Sequence, residues 1–285
     1  MGLSAETDVT SPRNASRTAL GVAAHRAFHQ LMDGEPKILE DRIAETLIDA
    51  GMLAQIRARD ERYGSPGSRA LRVRVALRSR FAETRLEKAV ARGVRQCVIL
   101  GAGFDTFAYR QPDWARRVRI FEVDHDATQS AKRERLKAAG IPQASNLDYV
   151  TIDFERTSLN DGLRASALDF SKPAFFSCLG VLMYLTKPAV DALFDLVASF
   201  PKGSEIAFTF VSPEGMGSPI AESAAAVGEP WLTALDADAL PRDLAAKGFS
   251  AVSLLDPAET HRLYFTNRTD GLELPERTGI ASAVV

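Results

Sequence analysis

Cysteine is nearly missing from this chain: its 285 residues include only Cys97 and Cys178, each among apolar neighbours. That excludes a disulfide framework and leads us to expect buried, reduced thiols in a cytoplasmic protein. Long apolar runs are missing as well. No stretch reaches the about 18 residues of a membrane helix, and the opening MGLSAETDVTSPRN lacks the apolar centre of a signal peptide. It starts Met-Gly, but residue six is Glu6, so the myristoylation pattern fails. Excess charge is lacking too. The balance of 35 Lys+Arg against 37 Asp+Glu gives a net −2, with no general attraction for nucleic acid or anionic lipid. There is no Gly-x-Ser-x-Gly elbow, no phosphate-binding loop ending in Gly-Lys-Ser/Thr and no RNA-binding aromatic signature. What is left is an ordinary globular composition, 46% hydrophobic and 25% charged. At roughly 100–200 residues per domain, the length allows one large domain with an added lobe.

Periodicity divides the chain near residue 93. Before it, apolar spacing predicts a helix from Ser16 to Met32, a second from Ile38 to Arg59, a loop over Tyr63–Ser68 and a third helix from about Ala70 to Ala91. After it, short apolar runs alternate with helical stretches. Strands are expected at Gln96–Leu100, Arg119–Val123, Asp148–Ile152, Ala174–Cys178 and Glu205–Val211, with helices from Asp126 and Thr186. Such alternation calls for an α/β fold with a parallel, doubly wound sheet. Ser250–Leu255 and Arg262–Thr266 are too close for a crossover helix and are expected to pair antiparallel. A seven-stranded Rossmann-like sheet that ends this way is the class I methyltransferase pattern.

The most informative segment is Val98-Ile-Leu-Gly-Ala-Gly-Phe-Asp-Thr106. It follows a predicted strand, and glycines there let the backbone approach a ligand closely. The next strand ends in Glu122-Val-Asp124, placed to accept from ribose hydroxyls. A glycine pair alone also fits a tight turn flanked by surface acids. A dinucleotide site wants a third glycine where this chain has Thr106, preceded by Asp105. A carboxylate repels a pyrophosphate and suits a sulfonium or α-amino group, so the loop favours S-adenosylmethionine over NAD.

The run from Val98 to Arg110, with Phe121-Glu-Val-Asp124, resembles the leucine carboxyl methyltransferase family, and in particular its bacterial branch of S-adenosylmethionine-dependent methyltransferases. His25-Arg26-Ala27, Arg78-Ser-Arg-Phe81, Gly180-Val-Leu-Met-Tyr-Leu-Thr186 and Gly228-Glu-Pro-Trp231 extend the resemblance over most of the chain. It implies a role for Arg78 on the carboxylate of S-adenosyl-L-methionine, which the reaction converts to S-adenosyl-L-homocysteine. It also implies that Gly101 lets the backbone approach the methionine part, that Asp124 binds the ribose, and that Asp153 and Phe154 bracket the adenine; Gly103 and Asp105 of the same loop are the remaining cofactor-binding candidates. The family usually carries Glu directly before the glycine of the Gly-x-x-x-Tyr-Leu segment; here that position is Leu179.

His25 and His29 lie one helical turn apart, but Arg26 stands where the zinc-protease motif has Glu and no third ligand is near, so no metal is expected. Both, with Tyr184, are candidates to line the acceptor pocket, and one histidine could serve as base. The six arginines between Arg69 and Arg85 are interleaved with Glu83 and suit a solvated helix face with Arg78 turned inward.

The expectation is an O-methyltransferase of a small-molecule hydroxyl or carboxylate, with residues 1–93 as helical cover, 94–285 as cofactor-binding core and about 212–231 as lid. A protein C-terminal carboxylate is the alternative acceptor. An NAD(P)-dependent oxidoreductase or a non-catalytic adenosine-ligand binder are the rivals.

Overall fold

The structure, a computed structural model, describes residues 16–58, 61–152, 158–276 and 278–285. Seven strands form one sheet: β1 Gln96–Leu100, β2 Arg119–Asp124, β3 Leu147–Thr151, β4 Phe175–Cys178, β5 Glu205–Thr209, β6 Ala251–Leu254 and β7 Ile280–Val284. Their order is β3-β2-β1-β4-β5-β7-β6. The first five pair in parallel, and β7 runs antiparallel between β5 and β6. Every residue of β1 and β5 is buried, which is why these strands read as continuous apolar runs without alternation. Val98, Leu100, Phe121, Phe176 and Phe208 form the core on one face. Cys97, Ile99, Ile120, Phe175 and Ala207 form it on the other.

On the N-terminal side, α1 spans Arg17–Met32 and is opened by Ser16, whose hydroxyl accepts from the Ala19 N–H at 3.0 Å. Then come a 3₁₀ turn at Ala44–Leu47, α2 at Ala50–Arg57, α3 at Glu61–Gly64 and the long α4 at Pro66–Ala91. Within the sheet domain lie α5 Phe107–Arg110, α6 Asp126–Ala138, α7 Leu159–Arg164 and α8 Lys187–Ala198. Further along are α9 Pro219–Ala226, α10 Leu240–Ala245 and α11 Pro257–Tyr264. Among the described residues no helix is long and apolar enough to cross a membrane.

Three expectations are corrected. Residues 38–43 are not helical, because side chains of α1 hold their backbone: His29 Nε2 accepts from Ile38 N–H at 3.1 Å, and Gln30 brackets Leu39 and Asp41 at 2.8 Å each. The helix in this stretch starts only at Ala50, where Asp49 caps it by accepting from Met52 N–H. The expected loop is helical at both ends, since Ser65 caps α4 and Pro66 takes its first position. Finally, Arg262–Thr266 is not a strand. Asp256 starts α11 by accepting from the N–H groups of Ala258 and Glu259, and the antiparallel strand is β7, 14 residues beyond Thr266.

Candidate active site

The chain leaves β1 toward β2 on one side and returns on the other as β4. In such a sheet, the crevice beyond the carboxyl ends of those two strands is where ligands bind. Here the loops after β1 and β4 touch. Gly101 has φ +61°, and a Cβ on it would lie 2.5 Å from Val181 Cγ2. Gly180, at φ +75°, lies under the Arg78 guanidinium, where a Cβ would be 2.6 Å from Nη1. Neither position tolerates a side chain.

Arg78 comes from α4, and among the described residues it makes no hydrogen bond or ion pair. Burial, and after it the Arg26 guanidinium, pull it down to about 10, against the support of Tyr184 and Asp105. A cation with no partner among the described residues, lying over Gly180, fits a carboxylate ligand in fork geometry. Asp124, at the end of β2, turns back to the loop: one carboxylate oxygen accepts from Gly103 N–H and the other from His125 N–H. Burial raises its pKa and these two bonds oppose the rise. Each oxygen keeps a lone pair for a hydroxyl donor.

Glu122 is not such an acceptor. It is 1% exposed and takes a 2.7 Å bond from Lys132 Nζ. The structure therefore brings Arg78, Gly101, Gly103, Asp105, Asp124 and Tyr184 to one crevice. Asp153 and Phe154 lie outside the described residues.

The histidines stand apart, on the flank of α1 that faces Arg72. Both ring nitrogens of His29 are in use, Nδ1 to Asp33 at 2.9 Å and Nε2 to the 38–39 backbone. This leaves no ring nitrogen for an acceptor, and Asp33 in turn accepts from Arg72 Nε at 2.7 Å. His25 packs edge-on against Tyr63 with Nδ1 buried and unpartnered. Burial first, then Arg72, push it down to about 4.

A buried network invisible in the sequence locks the glycine loop to the N-terminal helices. Thr106 is fully buried, and its hydroxyl donates to Asp41 at 2.7 Å. Arg110 donates to Thr106 and forks onto Glu83 of α4, while Arg26 of α1 donates to the Phe104 carbonyl and lies 3.6 Å from Asp41. Arg26 and Arg110 do stand inside the motif-like runs; Asp41 carries no local signal at all. Leu179 lines a small cleft shared with Ser79, Glu83 and Asp105. A carboxylate at 179 would add a third acid there.

The glycine loop and the turn after β4 also meet α1 and the segment after β5. The Cβ of Ala19 on α1 lies 3.2 Å from where a Gly103 Cβ would be. Ser16 Oγ donates to Glu229 Oε1 at 3.0 Å, and Leu232 N–H donates to the Met183 carbonyl at 2.6 Å.

This sheet order, with a glycine turn after β1 and an acid closing β2, defines a class I methyltransferase. Solved structures share the fold: a DUF574 family protein of Streptomyces avermitilis (TM-score 0.55, 17% identity, covering 95% of this chain and 97% of that one) and a "putative methyltransferase" of Thermobifida fusca (TM-score 0.52, 20% identity, 97% of each). The leucine carboxyl methyltransferase family model matches residues 19–198. A Bacillus subtilis protein named "Putative S-adenosyl-L-methionine-dependent methyltransferase YktD" is 31% identical, covering 95% of this chain and 98% of its own. A similarly named protein of Mycolicibacterium paratuberculosis is 34% identical over 75% of this chain and 72% of its own. The chain belongs to the leucine carboxyl methyltransferase family. It is an S-adenosylmethionine-dependent methyltransferase, and the dinucleotide reading falls.

Proposed function

We propose that the protein methylates an oxygen of a small molecule, a carboxylate or an acidic hydroxyl, and that the N-terminal helices with the 212–231 segment cover the acceptor. The observation that carries this reading is the place of the imidazoles: His29 has both ring nitrogens committed and His25 packs against Tyr63, away from the crevice. An acceptor oxygen that is ionised at neutral pH without a base suits such a crevice.

S-Adenosylmethionine, when bound, supplies an electrophilic methyl group on a sulfonium. The chain's own residues bind and orient. Arg78 is suited to the methionine carboxylate, Gly101 and Gly103 to close backbone approach, and Asp124 to the ribose hydroxyls. Asp105 accepts from Phe107 N–H through Oδ1 and lies 3.8 Å from Arg26 through Oδ2, which holds its charge at the loop. A carboxylate acceptor, ionised at neutral pH with a pKa near about 4, needs no base. That agrees with the histidines of α1 standing apart from the crevice, His29 committed to Asp33. The Ser16–Glu229 contact across the cover supports a small acceptor over a polypeptide end.

The test is transfer of a labelled methyl group by the full chain to a panel of aromatic and aliphatic acids and phenols, alongside peptides ending in a free carboxylate. Base-labile label on small acids is the expected outcome. Label on peptides alone would transfer the assignment to the protein-carboxylate reading, and S-adenosylmethionine binding without transfer to any acceptor would make the chain a binder.

A further inference from the structure

Away from the strand ends, α6 and the edge of the sheet enclose a groove of about 570 Å³, within the size range of small-molecule sites. None of its lining residues belongs to the crevice described above. Its aromatic floor is Tyr109 of α5 and Tyr149 of β3, whose hydroxyls are hydrogen-bonded to each other. Two phenols that share one such bond retain one O–H, and it has no other acceptor among the described residues.

The wall is α6. Ser130, Arg133 and Lys137 line the groove at the spacing of one helix face, and Ile141 closes it on the apolar side. The Arg133 guanidinium lies 5.1 Å from the centroid of the Tyr149 ring, and neither Arg133 nor Lys137 has a carboxylate within ion-pair distance among the described residues. Glu134 stands in the lining as its one acid. Two cations with no carboxylate partner among the described residues, a hydroxyl and a phenol O–H converge beside flat aromatic and apolar surface. We propose that this groove is a second binding site, and that its ligand is a planar aromatic carboxylate: the ring lies on the tyrosines and the anion meets Arg133 and Lys137.

The proposal does not depend on the methyl acceptor, and a direct test keeps the two apart. The full chain, saturated with S-adenosylhomocysteine, is titrated with 2-naphthoate by calorimetry, with neutral 2-naphthamide as the control. Hydrogen exchange of the 130–149 segment is followed with and without naphthoate. Naphthoate is expected to protect that segment, and R133Q/K137Q to weaken its binding by about tenfold and abolish the protection. Both replaced residues are exposed, so the variant should fold and bind S-adenosylhomocysteine as the parent does. Equal binding of the amide, unchanged naphthoate affinity in the variant, or protection confined to other segments would each overturn the proposal.

Discussion

Replacing Arg78 by methionine tests the crevice most directly, because among the described residues this side chain has no hydrogen bond or ion pair of its own to lose. Its guanidinium lies against Gly180 and close to Arg26, with burial pulling its pKa down to about 10. If it receives the cofactor's carboxylate in a two-pronged bond, R78M removes charge-assisted hydrogen bonds worth about 3 kcal/mol together, or roughly 100-fold in Kd. Calorimetry with two ligands isolates that term. S-Adenosylhomocysteine carries the carboxylate and should lose about two orders of magnitude; 5′-methylthioadenosine lacks it and should bind both proteins equally. Stability should move the other way. Methionine removes a cation that burial and the charges of Arg26 and Arg74 disfavour, so the melting temperature should hold or rise. Equal losses for both ligands would falsify the assignment, since Arg78 would then act through the shape of the loop. A large drop in melting temperature would show that its charge is already compensated.

Three further outcomes follow from the same geometry. Asp124→Ala should weaken S-adenosylhomocysteine binding by about tenfold or more, from loss of a charged acceptor worth roughly 1.5–3 kcal/mol; unchanged affinity would refute the ribose assignment. Thr106→Val keeps the shape but strips Asp41 of its 2.7 Å donor, and should cost about 1–3 kcal/mol in urea unfolding. A loss under half a kilocalorie would mean the buried network does not hold the loop. His25 sits at about 4 when folded against an ordinary 6.5, so the unfolded chain takes the proton first. Stability present above pH 6.5 is lost as pH falls toward 4, by at most about 3 kcal/mol. His25→Phe should flatten that part of the melting-temperature profile, and parallel profiles for the two proteins would count against it.

Much of the crevice was legible because its residues sit in one contiguous loop that follows a run buried on both faces. Gln96–Leu100 is a strand residue for residue, and Gly101, Gly103, Asp105 and Asp124 follow by position alone. Arg78 needed the family resemblance, since nothing in an arginine-rich helix singles out one guanidinium. Asp41 was beyond reach: its bond to Thr106 spans 65 positions and leaves no local pattern. Near the C-terminal end the misreading has a physical cause. Leu263-Tyr264-Phe265 has strand-like composition, but the Asp256-Pro257 cap upstream decides for a helix. β7, Ile-Ala-Ser-Ala-Val, is so poor in bulky residues that it reads as linker; it is buried because β5 and β6 enclose it on both edges.

The place of β7 also sets an order of events during synthesis. β5 is complete at Thr209, but the strand that must lie beside it starts only at Ile280. At about 5–20 residues per second, a ribosome takes roughly 4–14 s to cover that distance. Throughout it, the growing chain presents the bare edge of β5, lined by Ile206 and Phe208 on the strand itself, and β6, made only from Ala251 onward, cannot yet dock. An unpaired apolar edge is a template for the wrong partner. The nascent enzyme is therefore most exposed to aggregation, and most in need of a chaperone, after its cofactor loop is made and before its sheet can close.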